Sequence, residues 1–247
     1  SVFILNYFDT LMINQSIGAQ AAGLYSFAYK IGTIYYGLIQ SFQLGFLSKY
    51  NQLLHKKDYD GISEQLKSIL KLITLITLGF ILFSPEMGRL LSSKNEFNDA
   101  LILSPIIILG YYLLFIFDLY NVSLFQAKKN MIITFVILSV GILNIVLNKL
   151  FIPVYGYKIA AINTLVSFFV MFVLGKLSTH FMGIFSLKVK YFTFFLILAS
   201  LATCFSSFME YHGITFFVSI GIKTVIFGFM CIYIYKNIIQ LLLERRN

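Results

Sequence analysis

Long apolar stretches separated by short polar connections run through the whole sequence. Eight of them approach the ~20 apolar residues that an α-helix needs to cross a bilayer. They cover residues 2–17, 24–47, 66–83, 100–125, 131–152, 157–177, 191–209 and 214–236. None shows the two-residue alternation of a membrane β-barrel, and backbone groups in lipid must find partners within their own segment. The pattern therefore predicts an all-α, polytopic bundle of about eight transmembrane helices.

Composition supports a membrane protein and removes several other classes. Hydrophobic residues make up 59% of the 247 residues, charged residues make up only 12%, and there are three Pro. The mean hydropathy of +0.85 lies far above that of a soluble domain. A disordered chain, a nucleic-acid-binding protein and a secreted disulfide scaffold are excluded, the last because the sequence contains only two Cys.

Basic residues concentrate in every second connection, within 49–71, 128–129, 176–190 and 236–246. The positive-inside rule places these connections and the C-terminus in the cytoplasm. We expect a solvated, lipid-touching linker at 49–67, and a short cytoplasmic tail at 237–247 after a membrane lobe at 1–236. Because the chain starts without Met inside an apolar stretch, we also expect further residues upstream.

The second apolar stretch carries polar and small residues along one stripe. Ser26, Lys30, Thr33, Gly37 and Gln40 follow at spacings of four, three, four and three, which places them on one face of a helix. One interpretation is a cavity wall that carries a cation. The other is helix packing through small residues, with Lys30 extending to the membrane surface. We favour the cavity wall because a polar stripe is costly when it faces lipid.

Three further ionisable residues lie within apolar stretches, where a charge usually faces a bundle interior or a wet cavity. Lys223 lies near the middle of the last stretch. It is interpreted either as a substrate-binding cation or as the ion-pair partner of Asp9 or Asp118. The two aspartates are in turn candidates for carrying a proton or a coupling cation.

Hydrophilic faces on several stretches indicate a shared aqueous path. The fifth stretch places Asn144 and Asn148 on one face, and the sixth adds Asn163 and Ser167. This layout is typical of a transporter whose binding site lies between helices. Lysines in such a path favour an anionic ligand such as a phosphate. The residues predicted to bind substrate are therefore Ser26, Lys30, Thr33, Gln40 and Lys223.

Motifs for ATP hydrolysis and covalent catalysis are absent from the sequence. The segment GKLS at 175–178 lacks the leading glycine and the adjacent hydroxyl residue of a Walker loop. No nucleophile elbow or zinc-protease motif occurs. The three His lie far apart, so we expect no metal site and no cofactor. We predict a transport protein rather than an enzyme.

Two segments resemble a known family. Residues 9–13 (DTLMI) and 23–31 (GLYSFAYKI) are similar to the passage that opens the C-terminal lobe of polysaccharide flippases. Residues 152–164 (IPVYGYKIAAINT) are similar to a turn between two late helices of those proteins, with Ile159 and Asn163 in place of small residues. Together these motifs resemble the Wzx-type lipid-linked oligosaccharide flippases of the MOP exporter superfamily.

The resemblance implies the C-terminal lobe of a two-lobed transporter in a bacterial inner membrane. It implies that the protein flips an undecaprenyl-pyrophosphate-linked unit of O-antigen or another surface polysaccharide by alternating access, coupled to an ion gradient. Lys30 then meets the pyrophosphate or an acidic glycan, and Asp9 takes the acidic position of the first motif. The implied partners are the lipid-linked oligosaccharide, membrane lipids and polysaccharide polymerases.

Two other functions stay open on the sequence alone. A multidrug–cation antiporter of the same superfamily would bind cationic drugs, whereas lysines in the predicted cavity favour an anionic substrate. A membrane glycan polymerase or glycosyltransferase would need an acid or an Arg/His cluster on an external loop. Only Glu86, Arg89, Glu96 and Asp99 come near that arrangement.

Overall fold

The computed structural model describes residues 2–56, 58–92, 95–183 and 189–243, and within these ranges every long element is a helix. The all-α prediction is confirmed. The helices are α1 Val2–Ser16, α2 Ala19–His55, α3 Tyr59–Leu91, α4 Asn98–Leu101, α5 Ser104–Gln126, α6 Asn130–Tyr155, α7 Ile159–Phe181, α8 Val189–Tyr211 and α9 Phe216–Leu243. The end of the predicted tail, 244–247, lies outside the described residues.

Six helical segments of the described chain are long and apolar enough to cross a membrane. They are Tyr59–Leu91, Asn98–Gln126, Asn130–Tyr155, Ile159–Phe181, Thr193–Tyr211 and Phe216–Tyr233. The first two predicted spans are helices as well, but α1 is short and α2 is not apolar enough to join this group. The polar stripe of α2 is the physical reason, because each amide, hydroxyl and ammonium group lowers the mean hydropathy of the helix.

The connection predicted at 49–67 is helical over most of its length, and it is not a long linker. Helix α2 continues to His55 and α3 already begins at Tyr59, so the two helices form a tight hairpin. Asp58 caps α3, since its side chain accepts a hydrogen bond of 2.8 Å from the backbone N–H of Gly61. Most of the predicted linker therefore extends the two helices, with Lys49 in α2 and Lys67 in α3.

Helix α3 runs through Pro85 to Leu91, beyond the predicted end of this span at 83. Proline lacks the N–H that would bond the carbonyl four residues earlier, here that of Ile81. The hydroxyl of Ser84 donates to this same carbonyl at 3.4 Å. A membrane helix tolerates proline where a neighbouring hydroxyl group supplies the missing donor. As a result Glu86 lies within the helix and not in a loop.

Helix α5 forms the centre of the bundle. It packs against α7, α3 and α2 and is buried along most of its length. Gly175 of α7 comes so close that a Cβ at this position would lie 2.7 Å from the ring of Phe117. The hydroxyl groups of Thr74 and Tyr112 join α3 to α5 at 2.6 Å. The remaining helices are arranged around this core.

Helices α6 and α9 present apolar outer faces. On α6 the side chains of Met131 and Phe135 are 86% and 72% exposed, and on α9 Phe217 is 85% exposed. Large apolar side chains that a membrane-length helix leaves uncovered face hydrocarbon. This divides the surface into a lipid-facing part and the more polar faces of α1 and α2.

Candidate functional site

A groove of about 680 Å³ opens between α1 and α2. Its lining residues come from these two helices alone. They are Thr10, Leu11, Asn14, Ala19, Ala22, Gly23, Ser26, Tyr29, Lys30 and Thr33. Small residues near the start of α2 keep the two helices from filling the space, and hydroxyl, amide and ammonium groups make one wall polar. Its volume lies within the range of small-molecule sites.

The structure brings together three of the predicted substrate-binding residues. Ser26, Lys30 and Thr33 line the same groove, as their helical spacing predicts. Lys30 is exposed, and in the part of the chain that the structure describes it forms no ion pair. Gln40 is not among the groove residues, because it lies further along α2 beside Asp118. The substrate-binding role of these side chains stays a prediction.

Behind the groove, four helices meet at the buried carboxylate of Asp9. Its side chain is 1% exposed and accepts three hydrogen bonds. Tyr25 of α2 donates from its hydroxyl at 2.9 Å and Thr164 of α7 at 2.7 Å, both to Oδ2. Asn148 of α6 donates to Oδ1 at 2.6 Å. The carboxylate therefore joins α1, α2, α6 and α7.

A second layer of amides holds these donors in place. Asn163 donates to Oδ1 of Asn148 at 2.9 Å, and the amide of Asn148 also approaches Oδ1 of Asn144 at 3.2 Å. Asn144 in turn donates to the hydroxyl oxygen of Thr164 at 3.3 Å. Such cross-linked networks fix side chains that would otherwise choose among several rotamers. We call Asp9 and its partners in these two layers the Asp9 network.

The Asp9 network contains a buried negative charge and only neutral donors. Within the described residues no Lys or Arg forms a salt bridge with Asp9. A buried carboxylate without a positive partner is costly, and it favours uptake of a proton or a cation. Carboxylate, amide and hydroxyl oxygens are also the ligands that hard cations prefer. Asp9 was predicted to be either an ion-coupling or an ion-pair residue. Among the described residues it forms no ion pair, so only the ion-coupling role stays a prediction.

Lys223 lies away from the groove, on the face of α9 that packs against α3. It is completely buried, and its Nζ donates to Oε1 of Glu86 at 2.7 Å. Ser219, one turn earlier, donates to the same oxygen at 2.6 Å. The ion-pair partner of Lys223 is therefore Glu86, and the predicted pairing with Asp9 or Asp118 is wrong. Its predicted place beside Lys30 in one cavity is corrected as well.

A second ion pair extends this contact to α8. Arg89, one turn after Glu86, donates to Oε2 of Glu210 at 2.6 Å. Two acidic and two basic side chains thus hold the ends of α3, α8 and α9 together. We call Glu86, Arg89, Glu210, Ser219 and Lys223 the Glu86 cluster. Its charges balance, unlike those of the Asp9 network.

Asp118 lies on α5 among amide side chains of its own helix and of α2. Asn121 donates to its Oδ1 at 3.3 Å, and Gln43 and Gln40 also approach the carboxylate. Within the described residues it has no salt bridge. Its predicted ion-coupling role is left open, whereas an ion pair with Lys223 does not form.

Several residues of these clusters gave little signal in the sequence. Tyr25 and Thr164 lie in strongly apolar stretches, where a hydroxyl group is common and does not reveal its partner. Glu86 follows a proline, which led to its assignment to an external loop. Asn144, Asn148 and Asn163 were predicted as hydrophilic faces, and the structure adds the carboxylate on which those faces converge.

These features define the chain as a polytopic α-helical membrane protein with a polar groove beside a buried carboxylate network. A family model described as MatE matches residues 1–150, and the chain belongs to this family. Members of the MatE family are transporters of the MOP superfamily and not enzymes. No curated protein and no solved structure matches the chain.

Proposed function

We propose that the protein moves an undecaprenyl-pyrophosphate-linked oligosaccharide, the repeat unit of O-antigen or another surface polysaccharide, across a bacterial inner membrane. The family supports a transporter, and the resemblance of residues 9–31 and 152–164 to Wzx-type flippases supports this substrate. The chain forms one wall of a cavity that opens alternately to each side of the membrane. In that arrangement the groove between α1 and α2 receives the head group.

The observation that carries the proposal is the position of Lys30. Its ammonium group lies on the open wall of a groove with hydroxyl neighbours Ser26 and Thr33, and the described side chains offer it no anionic partner. An exposed cation inside a membrane helix is costly unless it meets an anion or a wet cavity. A pyrophosphate supplies that anion, and an ammonium group is a common phosphate ligand.

The Asp9 network supplies the coupling step of the proposal. Asp9 touches Tyr25 of α2, one turn before the groove residues Tyr29 and Lys30. Binding of a proton or cation at the carboxylate changes which donors it holds, and three helices supply those donors. Such binding shifts the balance between two arrangements of the helices only if they bind the ion with different affinity. In this proposal the Asp9 network is the site at which the coupling ion binds.

The test is removal of the charge at residue 30 in the intact protein. Lys30→Ala should abolish display of the surface glycan in cells, with membrane abundance measured by immunoblot unchanged, and Lys30→Arg should restore part of it. Lys49→Ala is the matched control, because Lys49 is an exposed lysine of the same helix outside the groove. Normal glycan display in the Lys30→Ala strain at normal abundance would overturn the proposal.

The same variants separate the drug-antiporter alternative. For a carrier of cationic drugs, Lys30→Ala removes a repulsive charge, so drug efflux from cells should stay constant or rise. For a carrier of anionic glycolipids, efflux of a cationic dye does not depend on residue 30 and the glycan phenotype does. Measuring both in one set of strains distinguishes the two substrate classes.

A further inference from the structure

Below the groove, α2 and α5 present a second polar patch that the proposed function does not use. It consists of Tyr36, Gln40 and Gln43 on α2 and of Tyr111, Asp118 and Asn121 on α5. We call these six residues the α2–α5 patch. The side chains of Tyr36, Gln40, Gln43, Asp118 and Asn121 are only partly buried, although all five lie inside α2 or α5 and not at a helix end. A polar surface at this depth is costly unless it binds something.

Two aromatic rings form one side of the patch. Tyr36 stacks on Tyr111 with ring centroids 4.7 Å apart and an angle of 18° between the ring planes. The stacking covers one face of the Tyr36 ring and fixes its orientation. The hydroxyl group of Tyr36 makes no hydrogen bond within the described part of the chain, so among these residues it is a donor without an acceptor.

Planar amides and a carboxylate form the other side. Gln40 donates to Oε1 of Gln43 at 3.0 Å, and Asn121 donates to Oδ1 of Asp118 at 3.3 Å. The Oδ1 of Asn121 is buried and has no hydrogen-bond partner among the described residues. An orphaned buried acceptor of this kind destabilises the protein unless a donor from outside the chain reaches it.

We infer that the α2–α5 patch binds a saccharide, the glycan part of the substrate in the proposed function on which this inference rests. A sugar hydroxyl both donates and accepts, so it satisfies the orphaned acceptor of Asn121 and the unused donor of Tyr36. The apolar C–H face of a sugar ring packs on an aromatic ring. Carboxylate and amide side chains then bind further hydroxyl groups in pairs.

The ligand chemistry favours a hydroxyl-rich molecule over a bare cation. A metal ion uses oxygen ligands only and leaves the Tyr36 donor and the ring face unused. Amide N–H groups already approach the Asp118 carboxylate, so its charge is partly compensated. The Asp9 network has the opposite character, because its donors enclose a fully buried carboxylate and leave no ring face open.

Along the axis of α2 one ligand can reach both groove and patch, and it must curve around the helix because Tyr36 and Gln43 lie about 120° and 140° around the axis from Lys30. Tyr36 and Gln43 lie six and thirteen residues after Lys30 on the same helix, which corresponds to about 9 and 20 Å along its axis. A pyrophosphate at Lys30 therefore leaves room for a few sugar rings before the patch ends. The phosphate group and the glycan are bound by different residues of α2.

The experiment measures binding of three probes to the intact purified protein in lipid nanodiscs. The first is the lipid-linked oligosaccharide extracted from the cells that produce the protein, the second is undecaprenyl pyrophosphate without sugar, and the third is the oligosaccharide released from the first by mild acid. Tyr36→Leu and Asn121→Leu should each weaken binding of the two sugar-bearing probes by roughly tenfold, or about 1.4 kcal/mol. Binding of undecaprenyl pyrophosphate should stay constant.

Controls make the result specific. Phe42→Leu removes another partly exposed aromatic ring of α2 outside the patch and should leave all three affinities unchanged. Tyr36→Phe keeps the stacked ring and should lose less affinity than Tyr36→Leu. Every variant must elute as the wild type does in size-exclusion chromatography, which shows that it is folded. If Tyr36→Leu does not fold, Asn121→Leu tests the saccharide patch instead.

The outcomes separate this inference from the proposed function. The saccharide patch is overturned if Tyr36→Leu weakens binding of all three probes equally or of none. It is also overturned if Tyr36→Leu changes the ion dependence of transport but not the affinity for the sugar-bearing probes. Lys30→Ala should weaken binding of both lipid probes but spare the released oligosaccharide. Undiminished binding of undecaprenyl pyrophosphate by that variant overturns the proposed function alone.

Discussion

The Asp9 network and the Glu86 cluster each contain a buried carboxylate, but they differ in the groups that bind it. Asp9 accepts three hydrogen bonds from neutral groups, whereas Glu86 accepts hydrogen bonds from a buried lysine and a serine. In the first case the helices surround a charge that lacks a counter-charge among the described residues. In the second the charges balance. The difference supports the ion-exchanging role that we propose for Asp9, whereas the buried ion pair at Glu86 joins α3 to α9.

Removing the lysine of the joint should have the largest effect on stability. Lys223→Met leaves Glu86 buried without its counter-charge, and breaking a buried pair in this way costs about 3–5 kcal/mol. We expect little folded protein in the membrane and an early thermal transition in detergent. The double variant Glu86→Gln/Lys223→Met should recover most of the loss. Lys30→Met is the control, because it removes an exposed lysine. A Lys223→Met protein as stable as the wild type would contradict a joint at this position.

Neutralising the unpaired carboxylate should instead affect ion response more than folding. Asp9→Asn keeps the shape of the side chain, and we expect wild-type abundance together with loss of glycan display. A coupling cation at 100 times its Kd stabilises the wild type by about 2.7 kcal/mol. Thermal transitions recorded with and without Na⁺, and across a pH series, should shift for the wild type and not for Asp9→Asn. A variant that still shifts as the wild type does would place the ion elsewhere.

Deleting one hydroxyl group from each cluster sharpens the same contrast. Thr164→Val removes a donor from Asp9, and Ser219→Ala removes one from Glu86, each at a cost of about 1–2 kcal/mol. Only Thr164→Val should also change the ion dependence of transport or of the thermal transition. If both variants change it equally, the two clusters do not differ in function.

The smallest effect is expected at the edge of the Glu86 cluster. The side chains of Arg89 and Glu210 are 25% and 5% exposed, so water screens part of their attraction. Arg89→Gln should lower the free energy of unfolding by at most about 1 kcal/mol. This decrease should be smaller in high salt. A loss as large as that of Lys223→Met would show that the charges act as one unit.

The sequence predicts the helices well because apolar length and period are local properties. The same reason explains why one groove contains Lys30, Ser26 and Thr33. An α-helix turns by 100° per residue, so the spacing alone places these side chains on one face, whichever helices pack nearby. The predicted end of this span at residue 83 was wrong, because a proline such as Pro85 usually ends a helix. Here the Ser84 hydroxyl supplies a donor to the carbonyl that proline leaves without one.

Partners that lie far apart in the chain could not be predicted. Asp9 and Thr164 are 155 residues apart, and Glu86 and Lys223 are 137 residues apart. Which polar faces meet depends on the order in which helices pack around α5, and hydrophobic pattern does not specify that order. Lys223 therefore had two acidic candidates in the sequence, Asp9 and Asp118, and pairs with a third residue, Glu86, in the structure.

The separation between Glu86 and Lys223 has a consequence for biosynthesis. Ribosomes add residues at about 5–20 per second, so the carboxylate of α3 enters the membrane roughly 7–30 s before its ammonium partner is made. During that interval the newly inserted α3 carries an unmatched acid that a chaperone, a lipid head group or a proton must neutralise. Arrival of α9 brings the ammonium group of Lys223 to Glu86 and completes this part of the assembly.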